Sequence, residues 1–142
     1  MEEIVSVDWL AKNLEDEHLI LLDASFSGPK GNKTSKLNNV TIPGARFFNL
    51  KDKFSDKSCS FPNTIPSKKQ FEQECQKLGV NQNSMIVVFD NQGIYSSPRV
   101  WWMFKVMGHE KVSVLNGGLP EWVNKNYNTL ERDERNYRIG NF

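Results

Sequence analysis

Apolar positions along this chain come in short blocks whose period switches between that of a strand and that of a helix. "HLILLDAS" (18–25), "MIVVF" (85–89) and "KVSVLNGG" (111–118) hold near-continuous apolar runs. Runs of that length suit strands covered on both faces. Between them the period lengthens. Ser6 stands as a helix N-cap before Trp9, Leu10 and Leu14, which share one face. In "PSKKQFEQECQKLG", Ser67 and Gln70 have capping-box spacing, Phe71, Cys75 and Leu78 line one face, and Gly79 closes the end. "SPRVWWMFKVMG" offers Ser97 as N-cap, Pro98 at the first helical position and Gly108 as the stop. Val100, Trp101, Phe104 and Met107 lie on one side of it, and Trp102 and Val106 broaden that side, which predicts a largely buried helix. "VTIPGARFFNL" reads as a short strand ending in a Pro43-Gly44 turn, and "LPEWVNKNY" as a short helix. Strands alternating with helices imply an α/β fold with a doubly wound parallel sheet.

The loops between these blocks, 27–39 and 51–63, are polar and irregular. After Tyr127 the chain turns into "NTLERDERNYRIGNF", charged and poor in aliphatics. The reading is one domain over 1–127, with 128–142 opening a linker toward a second domain beyond this chain. The aromatic and apolar residues at its end are left with nothing to pack against.

With 142 residues the chain suffices for one core, and its 38% hydrophobic and 25% charged residues are ordinary for a globular protein. A net charge of +1 offers no field for nucleic acid or an anionic membrane. The lysines within 30–36 and 51–57 read as solvated loops. No apolar run is long enough to span a bilayer. "MEEIVSVDW" has acids where a signal peptide needs basic residues, so the expected location is cytoplasmic. The cysteines Cys59 and Cys75 and the histidines His18 and His109 lack metal-ligand spacing, so neither a metal nor a cofactor is expected. Cys59 has Lys57 nearby but no strand–loop–helix cradle. Cys75 and the four tryptophans, Trp9, Trp101, Trp102 and Trp122, read as core.

The chemistry-bearing stretch is "SMIVVFDNQGIYSSPRVWW" (84–102), a strand, a loop and a helix start. In open α/β sheets ligands bind at such junctions. The strand ends in Asp90. An aspartate-dependent phosphatase would need a second acid where Gln92 stands, to hold magnesium. A Cys-x5-Arg phosphatase would need a cysteine, and Arg99 is nine residues past Asp90.

"LLDAS", "TIPGARFF" and "PRVWWMFKVMGHEKVSVLNGGLPEW", in this order and spacing, resemble the rhodanese-type sulfurtransferases. More narrowly they resemble the N-terminal domain of the tandem-domain thiosulfate and 3-mercaptopyruvate enzymes, from about residue 5 to 127. The resemblance implies a five-stranded parallel sheet with helices on both faces. It implies a second, catalytic rhodanese domain as partner and small anionic sulfur donors for the complete enzyme. In that second domain a cysteine at the strand's end carries sulfur as a persulfide. Here Asp90 takes its place, so Asp90, Asn91, Gln92, Gly93, Ile94, Tyr95 and Ser96 form a degenerate active-site loop and this chain alone is expected to be inactive. Asp90 is expected to accept N–H bonds from its own loop and the following helix. The family's cleft acid and histidine map to Asp52 and Asn63, and an asparagine is neither acid nor base. Thr41 stands where the family usually has His, and Leu115-Asn116 where it has an aromatic and an acid. The alternative is a stand-alone, non-catalytic rhodanese-like interaction module.

Overall fold

Strand β1 (Ile4–Val5) opens the fold and is followed by α1 (Val7–Asn13), β2 (Leu19–Asp23), β3 (Val40–Thr41) and β4 (Arg46–Phe47). Then come α2 (Lys68–Lys77), β5 (Met85–Phe89), α3 (Ser97–Val106), β6 (Val112–Leu115), α4 (Gly118–Asn124) and β7 (Leu130–Glu131). The structure is a computed structural model, and it describes residues 2–25, 39–50, 53–54, 65–132 and 137–142. Five strands make one sheet in the order β1-β6-β5-β2-β4, and every pairing in it is parallel. This is the α/β, rhodanese-like sheet the motifs imply.

Side chains of a strand alternate between faces, and the two cores follow that alternation. Ile20, Leu22, Ile86, Val88, Val112 and Val114 meet Phe71 and Cys75 of α2 and Val100, Met103 and Phe104 of α3. Leu21, Val87, Phe89 and Leu115 point the other way, onto Val7 and Leu10 of α1 and Leu119 and Trp122 of α4. Local signals start and stop the helices where expected. Ser6 Oγ accepts from Trp9 N at 3.0 Å, and Ser67 Oγ accepts from Gln70 N at 3.2 Å. Gly79 follows α2 at φ +79, a conformation that favours glycine.

Four expectations are revised. The "VTIPGARFFNL" stretch forms two strands, because the turn at Pro43-Gly44 redirects the chain. β3 pairs antiparallel with β7, a strand in the segment read as linker, while β4 joins the main sheet. The end of the chain does find partners. The Phe142 ring lies 5.7 Å from Phe71, 5.8 Å from Phe104 and 5.4 Å from His109, and Phe142 N donates to Val80 O at 3.1 Å. Helix α3 is less buried than its pattern implies, since Trp102 and Val106 point to solvent. Of the tryptophans only Trp122 is fully buried, and Trp9 and Trp101 are half-buried. Finally, Ser97 is the first residue of α3 and Ser96 holds the cap position without a side-chain cap bond. Among the described residues no helix is long and apolar enough to cross a membrane.

Candidate functional site

Strand β5 lies at the middle of the sheet between β6 and β2, so its carboxyl end opens onto the crevice where α/β sheets place ligands. Asp90 is the next residue and is buried. Its Oδ1 accepts from Gln92 N at 2.9 Å. Its Oδ2 accepts from Tyr95 N at 2.9 Å, Ser96 N at 3.0 Å and Ser97 N at 2.9 Å. Three backbone N–H groups thus converge on one oxygen at the start of α3, where the helix dipole is positive. This explains the displaced cap: the loop carboxylate supplies the acceptor that the Ser97 hydroxyl was expected to supply. Among the described residues no cation pairs with Asp90, so its charge is met by N–H dipoles.

The loop is held from two further sides. Leu119 N donates to Asp90 O at 3.0 Å, which ties the start of α4 to the loop. A Cβ on Gly118 would meet the Gly93 carbonyl oxygen and, at 2.7 Å, that of Asp90, so the second glycine of "NGG" permits this approach. On the other side Ser96 Oγ donates to Ala24 O at 2.6 Å, and Ala24 N donates to Phe89 O at 2.8 Å. Within the loop Asn91 and Ser96 are buried, while Gln92, Ile94 and Tyr95 face out.

A second buried carboxylate stands beside it, and the sequence reading took it only as the end of a strand. Asp23, paired in register with Phe89, accepts from Ser25 N at 2.9 Å and Thr41 Oγ1 at 2.7 Å, and from Ser25 Oγ. Arg132 Nη2 lies 3.4 Å from its Oδ2. Thr41, flagged where the family usually has His, therefore serves Asp23. Arg132 sits in the segment read as linker, and nothing in its sequence context points to a partner 109 positions away.

Asp52, Asn63 and Cys59 lie outside the described residues. Cys75 is buried on α2, and burial, helped by Glu74 and Glu72, pushes its thiol well above the ordinary range. A thiol so placed is not a nucleophile at neutral pH. His109 Nε2 contacts Ser84 O at 2.8 Å, at the opposite end of β5 from Asp90, and is remote from the loop's chemistry. Among the described residues no group of three or more His, Cys, Asp or Glu is placed to hold a metal.

The cradle is an anion site in form, and its occupant is the protein's own carboxylate. Such an arrangement holds a loop rigid. A carboxylate oxygen has no sulfur lone pair with which to accept a sulfane sulfur.

Relatives share this architecture. The chain is 45% identical over 128 residues to thiosulfate/3-mercaptopyruvate sulfurtransferase 1, mitochondrial, of Arabidopsis thaliana, covering 89% of this chain and 34% of that protein. It is 37% identical over 121 residues to the 3-mercaptopyruvate sulfurtransferase of Escherichia coli (strain K12), covering 83% and 43%. The crystal structure of SseA from Escherichia coli, a 3-mercaptopyruvate sulfotransferase, superposes with a TM-score of 0.86 at 32% identity, over 100% of this chain and 55% of that one. The chain thus spans between about a third and just over half of the relatives it matches. The profile of the rhodanese-like domain matches residues 6–125, and with the sheet order and the loop geometry this places the chain in the rhodanese-like domain family, as a homologue of the thiosulfate and 3-mercaptopyruvate sulfurtransferases.

Proposed function

We propose that this chain is the non-catalytic domain of a sulfurtransferase that moves sulfane sulfur from thiosulfate or 3-mercaptopyruvate to a thiol or cyanide acceptor. Residues 1–127 form the domain, and 128–142 begin the connection to a second rhodanese domain that carries the persulfide cysteine. This half supports the fold and walls the cleft between the two, with Asp52 and Asn63 as its cleft side chains. The residues Asp90, Asn91, Gln92, Gly93, Ile94, Tyr95 and Ser96 are a degenerate active-site loop.

The observation that carries this reading is the saturation of the cradle by Asp90. Sulfane transfer needs a polarizable thiolate stabilised by loop N–H groups. Here those groups are bonded to Asp90, whose charge also repels an incoming anionic donor. The relatives' names and the match to part of their length supply the donors and the second domain.

The experiment is a sulfur-transfer assay of the purified chain with each donor and cyanide, run beside Cys59→Ala. No turnover is expected from either protein. Robust turnover in both would place an active group in this chain that the reading denies. Turnover lost on Cys59→Ala would make that loop thiol the carrier and refute the reading in another way.

A further inference from the structure

Helix α3 presents its two faces to different surroundings. Val100, Met103 and Phe104 are sealed against the sheet, while Trp102 is 47% exposed and Val106, one turn on, 53% exposed. The i, i+4 spacing puts the pair side by side on the outer surface, about 6 Å apart along the axis. Ile94, in the loop that leads into the helix, is 51% exposed. Ile4 of edge strand β1 pairs in register with Val114, whose side chain lies under α3, so Ile4 shares the α3 side of the sheet and is also exposed. Single exposed apolar side chains are unremarkable, but a tryptophan and three aliphatics on one loop–helix–edge surface mark a contact face. Polar side chains border it: Lys105, in the turn between Trp102 and Val106, pairs with Glu110 at 3.1 Å. An apolar centre with a charged border is the usual anatomy of a protein–protein interface.

We infer that the surface formed by Ile94, Trp102 and Val106 is where a catalytic rhodanese-like domain docks. This rests on the proposed function and adds to it the face that meets the partner. Two observations select this occupant. The SseA structure matches all of this chain with only 55% of its own length, so in that protein almost as much again accompanies the shared domain. The surface is also continuous with the Asp90 loop, whose four N–H bonds hold Ile94 and the start of α3 in one fixed arrangement. A domain seated here touches the degenerate loop and the helix it feeds at once.

The test mixes the 142-residue chain with the part of the Escherichia coli 3-mercaptopyruvate sulfurtransferase outside its 121 matched residues, each shown to be folded by circular dichroism. Titration calorimetry and sedimentation compare the chain with its Trp102→Lys/Val106→Lys variant and with Trp102→Phe. Trp102 and Val106 are solvent-facing, so the variants are expected to melt as the parent does. A one-to-one complex is expected, with the double variant binding roughly tenfold or more weakly and Trp102→Phe close to the parent. Equal binding by the parent and the double variant overturns the inference, as does the absence of any complex. Dimers of this chain that the double variant abolishes would give the face to a second copy and overturn it as well. Sulfur transfer from 3-mercaptopyruvate is followed in the same mixtures. A complex that depends on Trp102 and Val106 but transfers no sulfur contradicts the proposed function and supports the docking face. Transfer that ignores both substitutions contradicts the docking face alone.

Discussion

Asp90 puts a buried negative charge in reach of four backbone N–H groups, and removing it leaves all four without their acceptor. Asp90→Ala should therefore cost about 3 kcal/mol, in line with the loss of charge-assisted bonds plus unsatisfied donors. Asp90→Asn keeps one carbonyl oxygen but turns an amide toward the donors, and should cost roughly half as much. Urea unfolding of the two variants checks this, and a parent-like midpoint for Asp90→Ala would show that the cradle does not depend on its carboxylate. Gly118→Ala tests the neighbouring contact. At φ +59, with the carbonyls of Gly93 and Asp90 against any Cβ, alanine should destabilise by more than about 1 kcal/mol. Asp90 was legible from position alone, as the last residue of a run read as a buried strand. Its bonding was half legible. The sequence offered Ser97 as a hydroxyl cap, and only the folded loop reveals that a carboxylate seven positions earlier reaches the same N–H group.

Among the elements, the carboxyl-terminal segment departs furthest from its reading. Residues 137–142 strap across the end of α2. Gly140 N donates to Gln76 O at 2.9 Å, Gln76 Nε2 to Phe142 O at 3.0 Å, and Asn141 N to Asn81 Oδ1 at 2.8 Å. A charged, aliphatic-poor stretch gives no periodicity to read, so composition pointed to a tether. The anchors are single residues, Tyr137 under the Arg46 guanidinium and Phe142 among Phe71, Phe104 and His109. Phe142→Ala should cost about 2 kcal/mol, less than a fully buried phenylalanine because Phe142 is half-buried, and should lower the urea midpoint of the whole domain. His109, packed beside this ring, gives the strap a pH dependence. Burial, with Lys111 and Lys105 adding to it, lowers its pKa from the ordinary 6.5, against the opposing bond to the Ser84 carbonyl. The folded state thus favours neutral imidazole. This contribution is complete above pH 6.5 and is lost as pH falls through 6.5 toward the folded value. His109→Gln should flatten the fall in stability over that window, and an unchanged profile would assign it to other groups.

The molecule as a whole is a parallel sheet between two helical layers, and this much was readable because its three long strands are apolar on both faces. What escaped were the contacts made across the chain: β3 with β7, Asp23 with Arg132, and Phe142 with α2 and α3. Each joins residues dozens of positions apart through one or two side chains or a two-residue ladder, below the resolution of any periodic pattern. The outward Trp102 was missed for a related reason. An apolar residue that meets a partner looks like core in a sequence, and only its place on α3 separates the two. Strand β5, flanked by β2 and β6, should hold the slowest-exchanging amides of the domain, and amide hydrogen exchange checks this.

A single mass measurement separates a supporting domain from a catalytic one. The intact chain is incubated with excess thiosulfate, freed of small molecules without reductant and weighed. The saturated Asp90 cradle predicts an unchanged mass, with no sulfur atom gained. A stoichiometric gain of one sulfur, released again by cyanide as thiocyanate, would show that this chain carries the sulfur itself and would contradict the supporting role assigned to Asp90.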